Sequence, residues 1–412
     1  MTDLIIIGGG PAGMIMAGRA AEKGARVLLL EKNPKLGVKL LITGKGRCNI
    51  VNAESDIKKV IQRFGQNGKF LYSVLNKFGS QEIVEFFEDF GVKTKVERGN
   101  RIFPVSDKSQ DILKALIEYL KKNKVEIKTN VEVKYIIVKK DNIEKIVLTS
   151  GEELTASNYA ICTGGKSYPT TGSDGDGYKW LTKLGHNVLS PTPSLVPIIL
   201  QEKYVKDLEG LSLKNVQIEA YQDNKKKDSR FGEAIFTSNG LSGPIILDMS
   251  KKIGELLSKG KVTLKIDFKP ALDFKVLDKR IQNDFKEMNN KMFKNSLDLL
   301  LPKKLIPVII KLSKIDEDKK VNSITKEERN RLLHLLKGFE LEVKKIDGFD
   351  KAIVTAGGVD LKEIDPKTMK SRVISNLYLA GEVLDLDGPT GGYNLQASWS
   401  TGYCAGDNFN KI

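Results

Sequence analysis

The hydrophobic pattern at the start of the chain predicts a buried strand, a tight turn, a helix and a second strand. Residues 4–7 form an unbroken apolar run, and three consecutive glycines follow them. Such a run bounded by glycines is typical of a parallel strand that is buried on both faces. Apolar residues then recur at helical spacing between Met14 and Ala21, and a second, mostly apolar run covers residues 25–30. This order indicates an α/β protein with a parallel sheet.

The turn after the first strand carries the glycine fingerprint G-x-G-x-x-G. The first glycine permits a sharp turn, the second lets the backbone approach a pyrophosphate, and the third lets helix and strand pack closely. The N-terminus of the helix directs free N–H groups and a partial positive charge at the phosphates. The residues predicted to contact a dinucleotide here are Gly8, Gly10, Pro11, Ala12 and Gly13.

Glu31 ends the second strand, roughly 20 residues beyond the last glycine of the fingerprint. An acidic side chain at this position accepts hydrogen bonds from the ribose hydroxyls of an adenosine. The same carboxylate would repel a 2′-phosphate, so we expect this site to exclude NADP. A solvated glutamate after a strand is the alternative interpretation.

A glycine-rich, cationic loop follows Glu31 and extends to residue 49. Its lysines and its arginine can balance phosphate charge or stabilise an anionic flavin, and its threonine and asparagine can hydrogen-bond a polar ligand. An ordinary surface loop is the alternative. Cys48 is expected to be a small buried residue, since no histidine lies near it in sequence. The predicted cofactor contacts of this loop are Lys32, Lys39, Thr43, Gly44, Gly46, Arg47, Cys48 and Asn49.

Residues 54–165 are predicted to form both helices and strands, and two places in this segment are predicted to contact the cofactor. In order, the pattern predicts helices within 54–90, a hairpin over 92–105, a helix over 111–122, a strand over 125–127 and a β-meander from 131 to 148. Val133, at the start of the meander, is the predicted adenine contact. The apolar strand 158–162 then ends in a second glycine turn, whose predicted cofactor contacts are Thr163, Gly164 and Gly165.

The C-terminal segment repeats the strand–glycine–helix arrangement. The apolar run 377–380 leads into Gly-Glu, a glycine-rich loop and a helical pattern. The N-terminus of that helix is expected to face the flavin edge where reduction builds negative charge. Because this segment lies far from the first fingerprint, the cofactor domain is predicted to be split. The predicted contacts are Gly381, Glu382, Asp387, Gly391, Gly392, Tyr393, Asn394, Leu395 and Gln396.

Composition limits the remaining possibilities. The chain has 412 residues and a formal net charge of +15. Its lysines are scattered, which favours a solvated basic surface over nucleic-acid binding, although a basic field can attract an anionic substrate. The three cysteines form no C-x-x-C pair, and with only two histidines a metal site or histidine-based catalysis has little support. No long apolar run predicts a membrane span, and the cysteine usage predicts a cytoplasmic location.

Taken together, these motifs resemble the BaiN-like FAD-dependent oxidoreductases, also described as the aminoacetone oxidase family. The resemblance covers essentially the whole chain. Lys45 stands where the family loop is expected to have Gly or Asn. The segments that carry the resemblance are 8–13, 43–49, 163–165, 355–359 and 381–396.

The resemblance implies a Rossmann-like, two-dinucleotide-binding FAD domain, split in sequence, with an inserted β-barrel-like domain and a helical insert. It implies FAD, with NAD(P)H as a possible co-substrate, and reduction of a conjugated C=C bond in a 3-oxo bile-acid-like small molecule. Amine oxidation by oxygen is the first alternative, and a flavin-dependent RNA-modifying protein is a remote one. The oligomeric state and the proton donor stay open, with Tyr168, Tyr393, Arg47 and Lys45 as candidate donors by location. The predicted domains are 1–190 and 366–412 for FAD, 191–270 and 338–365 for the barrel, and 271–337 for the helical insert.

Overall fold

The structure is a computed structural model in which residues 2–409 are described, and its chain divides into two units. Unit 1 takes in the described residues of Met1–Ser194 and Phe349–Ile412, and unit 2 is Leu195–Gly348. The helices are α1 (Pro11–Glu22), α2 (Val38–Ile42), α3 (Ile57–Gln62), α4 (Tyr72–Lys77), α5 (Ser80–Asp89), α6 (Ser109–Lys122), α7 (Asp176–Lys183), α8 (Pro244–Leu257), α9 (Phe274–Glu287), α10 (Ile306–Ser313), α11 (Lys326–Lys337) and α12 (Tyr393–Asp407).

The strands are shorter on average than the helices and fall into five sheets. They are β1 (Thr2–Ile7), β2 (Val27–Leu30), β3 (Val51–Asn52), β4 (Thr94–Glu97), β5 (Arg101–Pro104), β6 (Glu126–Lys128), β7 (Val133–Lys139), β8 (Asn142–Leu148), β9 (Glu153–Leu154), β10 (Ala156–Ile161), β11 (Val188–Ser194), β12 (Ile198–Leu200), β13 (Ser212–Gln222), β14 (Lys225–Thr237), β15 (Gly240–Ser242), β16 (Val262–Asp267), β17 (Phe339–Ile346), β18 (Val354–Val359) and β19 (Leu377–Leu379).

A five-stranded parallel sheet forms the centre of unit 1, in the order β19-β10-β1-β2-β6. The central strand β1 is buried along residues 3–7, as its apolar pattern predicts. Ile7 is in register with Leu30 on one side and with Ile161 on the other, and Ile161 is in register with Leu379. The four strands therefore end at one edge, and the loops that follow them lie there together. The predicted α/β class with a split Rossmann-like domain is confirmed.

Helices α1 and α12 pack closely in unit 1 because glycine removes the side chains between them. A Cβ atom at Gly402 would lie 2.4 Å from the carbonyl oxygen of Ala12, and one at Gly406 would lie 2.7 Å from that of Met16. The last helix thus lies directly against the helix that follows the glycine fingerprint. The N-terminal and C-terminal parts of the chain form one core.

Three small antiparallel sheets complete unit 1. Strands β4 and β5 form the hairpin predicted over 92–105, and β3 pairs with β5. The predicted meander is β7–β8–β9. Strand β11 pairs with β18, which brings Val354–Val359 into unit 1. The predicted inserted domain, which included residues 349–365 and began at 191, therefore has wrong boundaries: this pairing depends on contacts between distant segments that composition does not reveal.

Unit 2 is a closed antiparallel barrel in the order β12-β15-β14-β13-β16-β17. Buried and half-buried residues alternate strictly along β16, and its buried apolar side chains help to fill the barrel. Helices α9, α10 and α11 lie between β16 and β17 in sequence. The Asp273 side chain caps α9, and Thr325 with Glu328 forms a capping box on α11.

Two kinds of feature are absent from the part of the chain that the structure describes. No helix within 2–409 is long and apolar enough to cross a membrane. Across the same residues, no group of three or more His, Cys, Asp or Glu side chains is arranged to hold a metal ion.

Candidate cofactor site

The N-terminus of α1 is open to an anionic ligand. Gly10 caps the helix without a side-chain hydrogen bond, the first turn has no acidic residue, and a Cβ at Gly10 would meet no atom within 4 Å. Gly8 has a φ of +109°, and a Cβ there would lie 2.5 Å from the carbonyl oxygen of Cys162. A Cβ at Gly13 would lie 1.9 Å from the carbonyl oxygen of Gly8. Gly8 and Gly13 therefore serve packing, while Gly10 leaves room for a phosphate.

Glu31 is buried at the end of β2, and its carboxylate is fixed by the protein. Oε2 accepts a hydrogen bond of 2.8 Å from the backbone N–H of Gly9, and Oε1 accepts two of 2.8 Å from the N–H and the side-chain amide of Asn33. The N–H of Val131, two residues before the start of β7, donates to the carbonyl of Glu31 at 3.0 Å. The segment that leads to Val133, the predicted adenine contact, is therefore joined to Glu31, the predicted ribose contact.

Lys32, a predicted cofactor contact, forms ion pairs with two aspartates. Its ammonium forms ion pairs with Asp174 and, at 3.5 Å, with Asp176. The positive charge of Lys32 is therefore directed at the start of α7 and at the loop before it.

Lys39 and Glu382 form an ion pair of 2.7 Å, although 343 residues separate them. Lys39 also donates to the hydroxyl of Ser167 at 2.7 Å. The other carboxylate oxygen of Glu382 accepts hydrogen bonds from the N–H of Thr355 at 2.8 Å and from Ser167 at 2.9 Å. Sequence reasoning missed both Ser167 and Thr355, whose only sequence signal is that they lie in or just after glycine motifs.

The loop between α2 and β3 adopts a left-handed backbone at four positions. The φ angles are +57° at Gly44, +60° at Lys45, +82° at Gly46 and +60° at Cys48. This conformation favours glycine, which explains the glycines of the motif. Lys45 adopts the left-handed conformation although it lacks the conformational freedom of glycine. The hydroxyl of Thr43 donates to the carbonyl of Leu40 at 2.7 Å and so holds the start of the loop.

Arg47, which is predicted to meet phosphate or flavin, forms ion pairs with two carboxylates. Its guanidinium contacts both oxygens of Glu97, at 2.8 and 3.2 Å, and one oxygen of Asp107 at 3.2 Å. It also stacks over the ring of Phe103 at 4.0 Å. Hydrogen bonding to Arg47 lowers the pKa of Glu97 and keeps that carboxylate ionised. Arg47 therefore fixes its own loop against the β4–β5 hairpin.

The cysteines carry no redox pair in this structure. Cys48, Cys162 and Cys404 are all buried, free thiols. Burial raises the pKa of Cys48 and of Cys162 to about 12, so both thiols stay protonated at neutral pH. Cys48 is thus a buried residue, as expected.

The side chains of both histidines contact residues outside the predicted cofactor set. His186 is buried with Nδ1 2.9 Å from Glu363 and Nε2 3.0 Å from the hydroxyl of Ser371. His334 belongs to unit 2, where its ring lies 5.2 Å from that of Phe274.

The N-terminus of α12 is anchored by asparagines. Gly392 caps the helix with a φ of +101° and no side-chain cap. With the amide of Asn49 oriented by its hydrogen-bond network, Oδ1 accepts from the N–H of Gly392 at 3.0 Å and the amide nitrogen donates to Ile102 at 3.2 Å. Asn52 donates to the carbonyl of Gly391 at 3.0 Å. Asn49 and Asn52 therefore hold the loop in place, and Asn52 was missed by sequence reasoning.

The remaining predicted residues lie on the same loop and helix. Asn394 bonds both backbone groups of Gly388 at 2.8 and 2.9 Å, so it closes its own loop. The ring of Tyr393 packs edge-on against Phe64, and Ser194 donates to Asp387 at 3.3 Å. Leu395 follows in the first turn of α12.

The geometry fits FAD. The loops after β1, β2, β10 and β19 meet at one edge, and two glycine-capped helix N-termini, of α1 and α12, supply N–H groups for anionic parts of a cofactor. Within the described chain, the buried Oγ1 of Thr163 and Oε1 of Gln396 have no hydrogen-bond partner, which leaves polar atoms for a ligand. The backbone of Gly164 and Gly165 follows Thr163, and a Cβ at Gly381 would lie 2.9 Å from Ala12.

This fold and this site define an FAD-dependent oxidoreductase. The chain belongs to the HI0933-like family: the family model described as "HI0933-like protein Rossmann domain" matches residues 2–408. It is 32% identical to the 3-dehydro-bile acid delta(4,6)-reductase of Clostridium scindens over 98% of each chain. It is 31% identical to the ribosomal RNA dihydrouridine synthase of Escherichia coli over 98% of this chain and 97% of that one. The predicted resemblance is confirmed.

Among solved structures, the chain is similar to the 3-ketosteroid-delta4-(5alpha)-dehydrogenase of Rhodococcus jostii RHA1. The TM-score is 0.52 at 15% identity, and the match covers 99% of this chain and 96% of that one. At this identity the likeness concerns the fold.

Proposed function

We propose that the protein uses NAD(P)H to reduce a carbon–carbon double bond conjugated with a carbonyl group. FAD, when bound, supplies the hydride-transfer chemistry. In the net reaction NAD(P)H loses a hydride, the double bond gains that hydride and a proton, and NAD(P)⁺ is released. The observation that carries the proposal is the full-length similarity to a delta(4,6)-reductase and to a dihydrouridine synthase, whose names both describe reduction of such a bond.

The described residues support this chemistry. The buried, protonated thiols give no dithiol that would relay electrons. The N-terminus of α12 has no side-chain cap at Gly392, and we expect it to face the part of the cofactor that gains negative charge on reduction. Arg47 no longer qualifies as a proton donor, because its pairing with Glu97 and Asp107 raises its already high pKa. Tyr168, Tyr393 and Lys45 stay candidates for that role.

A 3-oxo steroid acid is the first substrate class that we propose. The delta(4,6)-reductase relative acts, by its name, on a 3-dehydro-bile acid. Such a molecule combines an enone with a carboxylate, and the net charge of +15 favours an anionic substrate.

Uridine in ribosomal RNA is a second candidate. The C5=C6 bond of uracil is conjugated with the C4 carbonyl, so it presents the same reactive unit as a steroid enone. The similarity to a ribosomal RNA dihydrouridine synthase is nearly as high as that to the bile-acid enzyme. A net charge of +15 also suits a polyanion. Both observations weigh against the expectation that nucleic acid is not a partner.

A reoxidation experiment separates these substrates. The purified protein is photoreduced without oxygen and mixed with a 3-oxo-4-ene bile acid or with unmodified ribosomal RNA. We expect one of them to restore the oxidised flavin spectrum and to gain two hydrogens by mass spectrometry. An RNA substrate also predicts a salt-sensitive gel shift at micromolar protein. If neither compound is reduced and the protein instead consumes oxygen when aminoacetone is added, the enzyme is an amine oxidase and the proposal is wrong.

A further inference from the structure

We propose that Thr355 and Ser167 are positioning residues which, with Lys39, hold the Glu382 carboxylate in the orientation that binds the ribityl hydroxyls of FAD. The inference rests on FAD binding at this sheet edge and not on the identity of the substrate.

Three donors converge on the Glu382 carboxylate. Oε1 accepts from the N–H of Thr355 and the hydroxyl of Ser167, and Oε2 accepts from the ammonium of Lys39. A carboxylate has about four acceptor positions. One position on Oε2 is thus left for a ligand donor, and a hydroxyl group of a sugar alcohol is a donor of the required kind.

Thr355 acts on Glu382 by two routes. Its N–H binds the carboxylate directly. Its hydroxyl oxygen accepts the N–H groups of Lys166 at 2.7 Å and Ser167 at 3.1 Å, which fixes the backbone that carries the Ser167 hydroxyl. Thr355 and Ser167 are fully buried, so water does not compete for these bonds.

Gly165 shows how tightly this network is packed. A Cβ there would lie 2.4 Å from the Thr355 hydroxyl and 2.9 Å from Oε1 of Glu382. A side chain at residue 165 would therefore collide with the hydrogen-bond network around Glu382. The Lys39–Glu382 pair is also electrically neutral as a unit, so loss of either partner would leave an unpaired charge at the edge where the phosphates bind.

The test compares FAD with ADP, which has the adenosine and pyrophosphate but no ribityl chain. Dissociation constants are measured by calorimetry on the deflavinated full-length protein. Thr355→Val, which removes only the hydroxyl, and Ser167→Ala are expected to weaken FAD binding about tenfold, a loss typical of one buried hydrogen bond, and to leave ADP binding unchanged. Thr355→Ser, which keeps the hydroxyl, is expected to bind FAD like the wild type. Ser106→Ala, at an exposed serine of unit 1, is the matched control.

Equal weakening of FAD and ADP in Thr355→Val and Ser167→Ala would overturn the proposal, because it would show a general loss of structure. Unchanged FAD binding in both variants would also overturn it. Failure of the wild-type protein to bind FAD would instead contradict the cofactor assignment, and failure to reduce an enone or uridine would touch only the proposed reaction.

Discussion

The side chain of Asn52 donates a hydrogen bond of 3.0 Å to the carbonyl of Gly391, and so joins strand β3 to the loop that opens the last helix. Asn52 is buried and lies 339 residues before Gly391. The two parts of the split cofactor domain are thus held together at the N-terminus of α12.

Replacing Asn52 by alanine is expected to lower the free energy of unfolding by about 1–3 kcal/mol, because the Gly391 carbonyl loses its partner at a part-buried site. Urea denaturation measures this, and flavin release on dilution should quicken in parallel. Asn76→Ala is the matched control, since that amide is exposed and bonds within its own helix. Equal stability of Asn52→Ala and the control would contradict the anchoring role.

Glu31→Ala is expected to weaken FAD and ADP binding alike, by about tenfold to a hundredfold, because the proposed contact is with the ribose that both ligands share. Flavin content after gel filtration gives a first measure, and calorimetry gives the constants. Glu126→Ala, at an exposed residue of β6, serves as the control. Retention of full flavin content by Glu31→Ala would refute the ribose assignment.

Lys45→Gly is expected to stabilise the protein by about 0.5–1 kcal/mol. A non-glycine residue at a φ of +60° is strained by about 1–2 kcal/mol, and the added freedom of glycine in the unfolded chain offsets part of that gain. The denaturant midpoint is the measurement. Lys45→Ala also removes the charge but keeps the Cβ, so it should show no such gain. Equal midpoints for the two variants would mean that backbone strain is absent at this position.

Because His186 is buried, we expect the free energy of unfolding to fall in acid. Burial lowers its pKa below the unfolded value of about 6.5, despite the opposing effect of Glu363. Below pH 6.5 the unfolded chain therefore binds a proton that the folded state takes up only at lower pH, and stability falls as the pH drops. Urea midpoints between pH 7.5 and 5 should decline less steeply for His186→Gln than for the wild type. A pH slope for His186→Gln as steep as that of the wild type would contradict this role of His186.

The local patterns predicted much of unit 1. The apolar run before Gly8, the helix after it and the acid at Glu31 are consecutive in sequence, so strand, turn and helix follow from spacing alone. The strand before Gly381 was predicted in the same way. These features depend on neighbours in sequence, where apolar periodicity and glycine content carry the information.

What the sequence did not reveal depends on pairing between distant segments. Arg47 was assigned to the cofactor because its charge suits phosphate, but the β4–β5 hairpin brings Glu97 beside it. Thr355 was not assigned a role because β18 was placed in the inserted domain, whereas its pairing with β11 brings Thr355 to Glu382. Long-range strand pairing, rather than local propensity, decides these positions.

The most direct test of the account is an anaerobic visible spectrum of the purified protein before and after addition of NADH or NADPH. We predict an oxidised flavin spectrum that bleaches within seconds and recovers when the unsaturated carbonyl substrate is added. A flavin that stays oxidised would contradict the reductase proposal. Absence of flavin absorbance, even after reconstitution with FAD, would contradict the cofactor assignment on which the whole account rests.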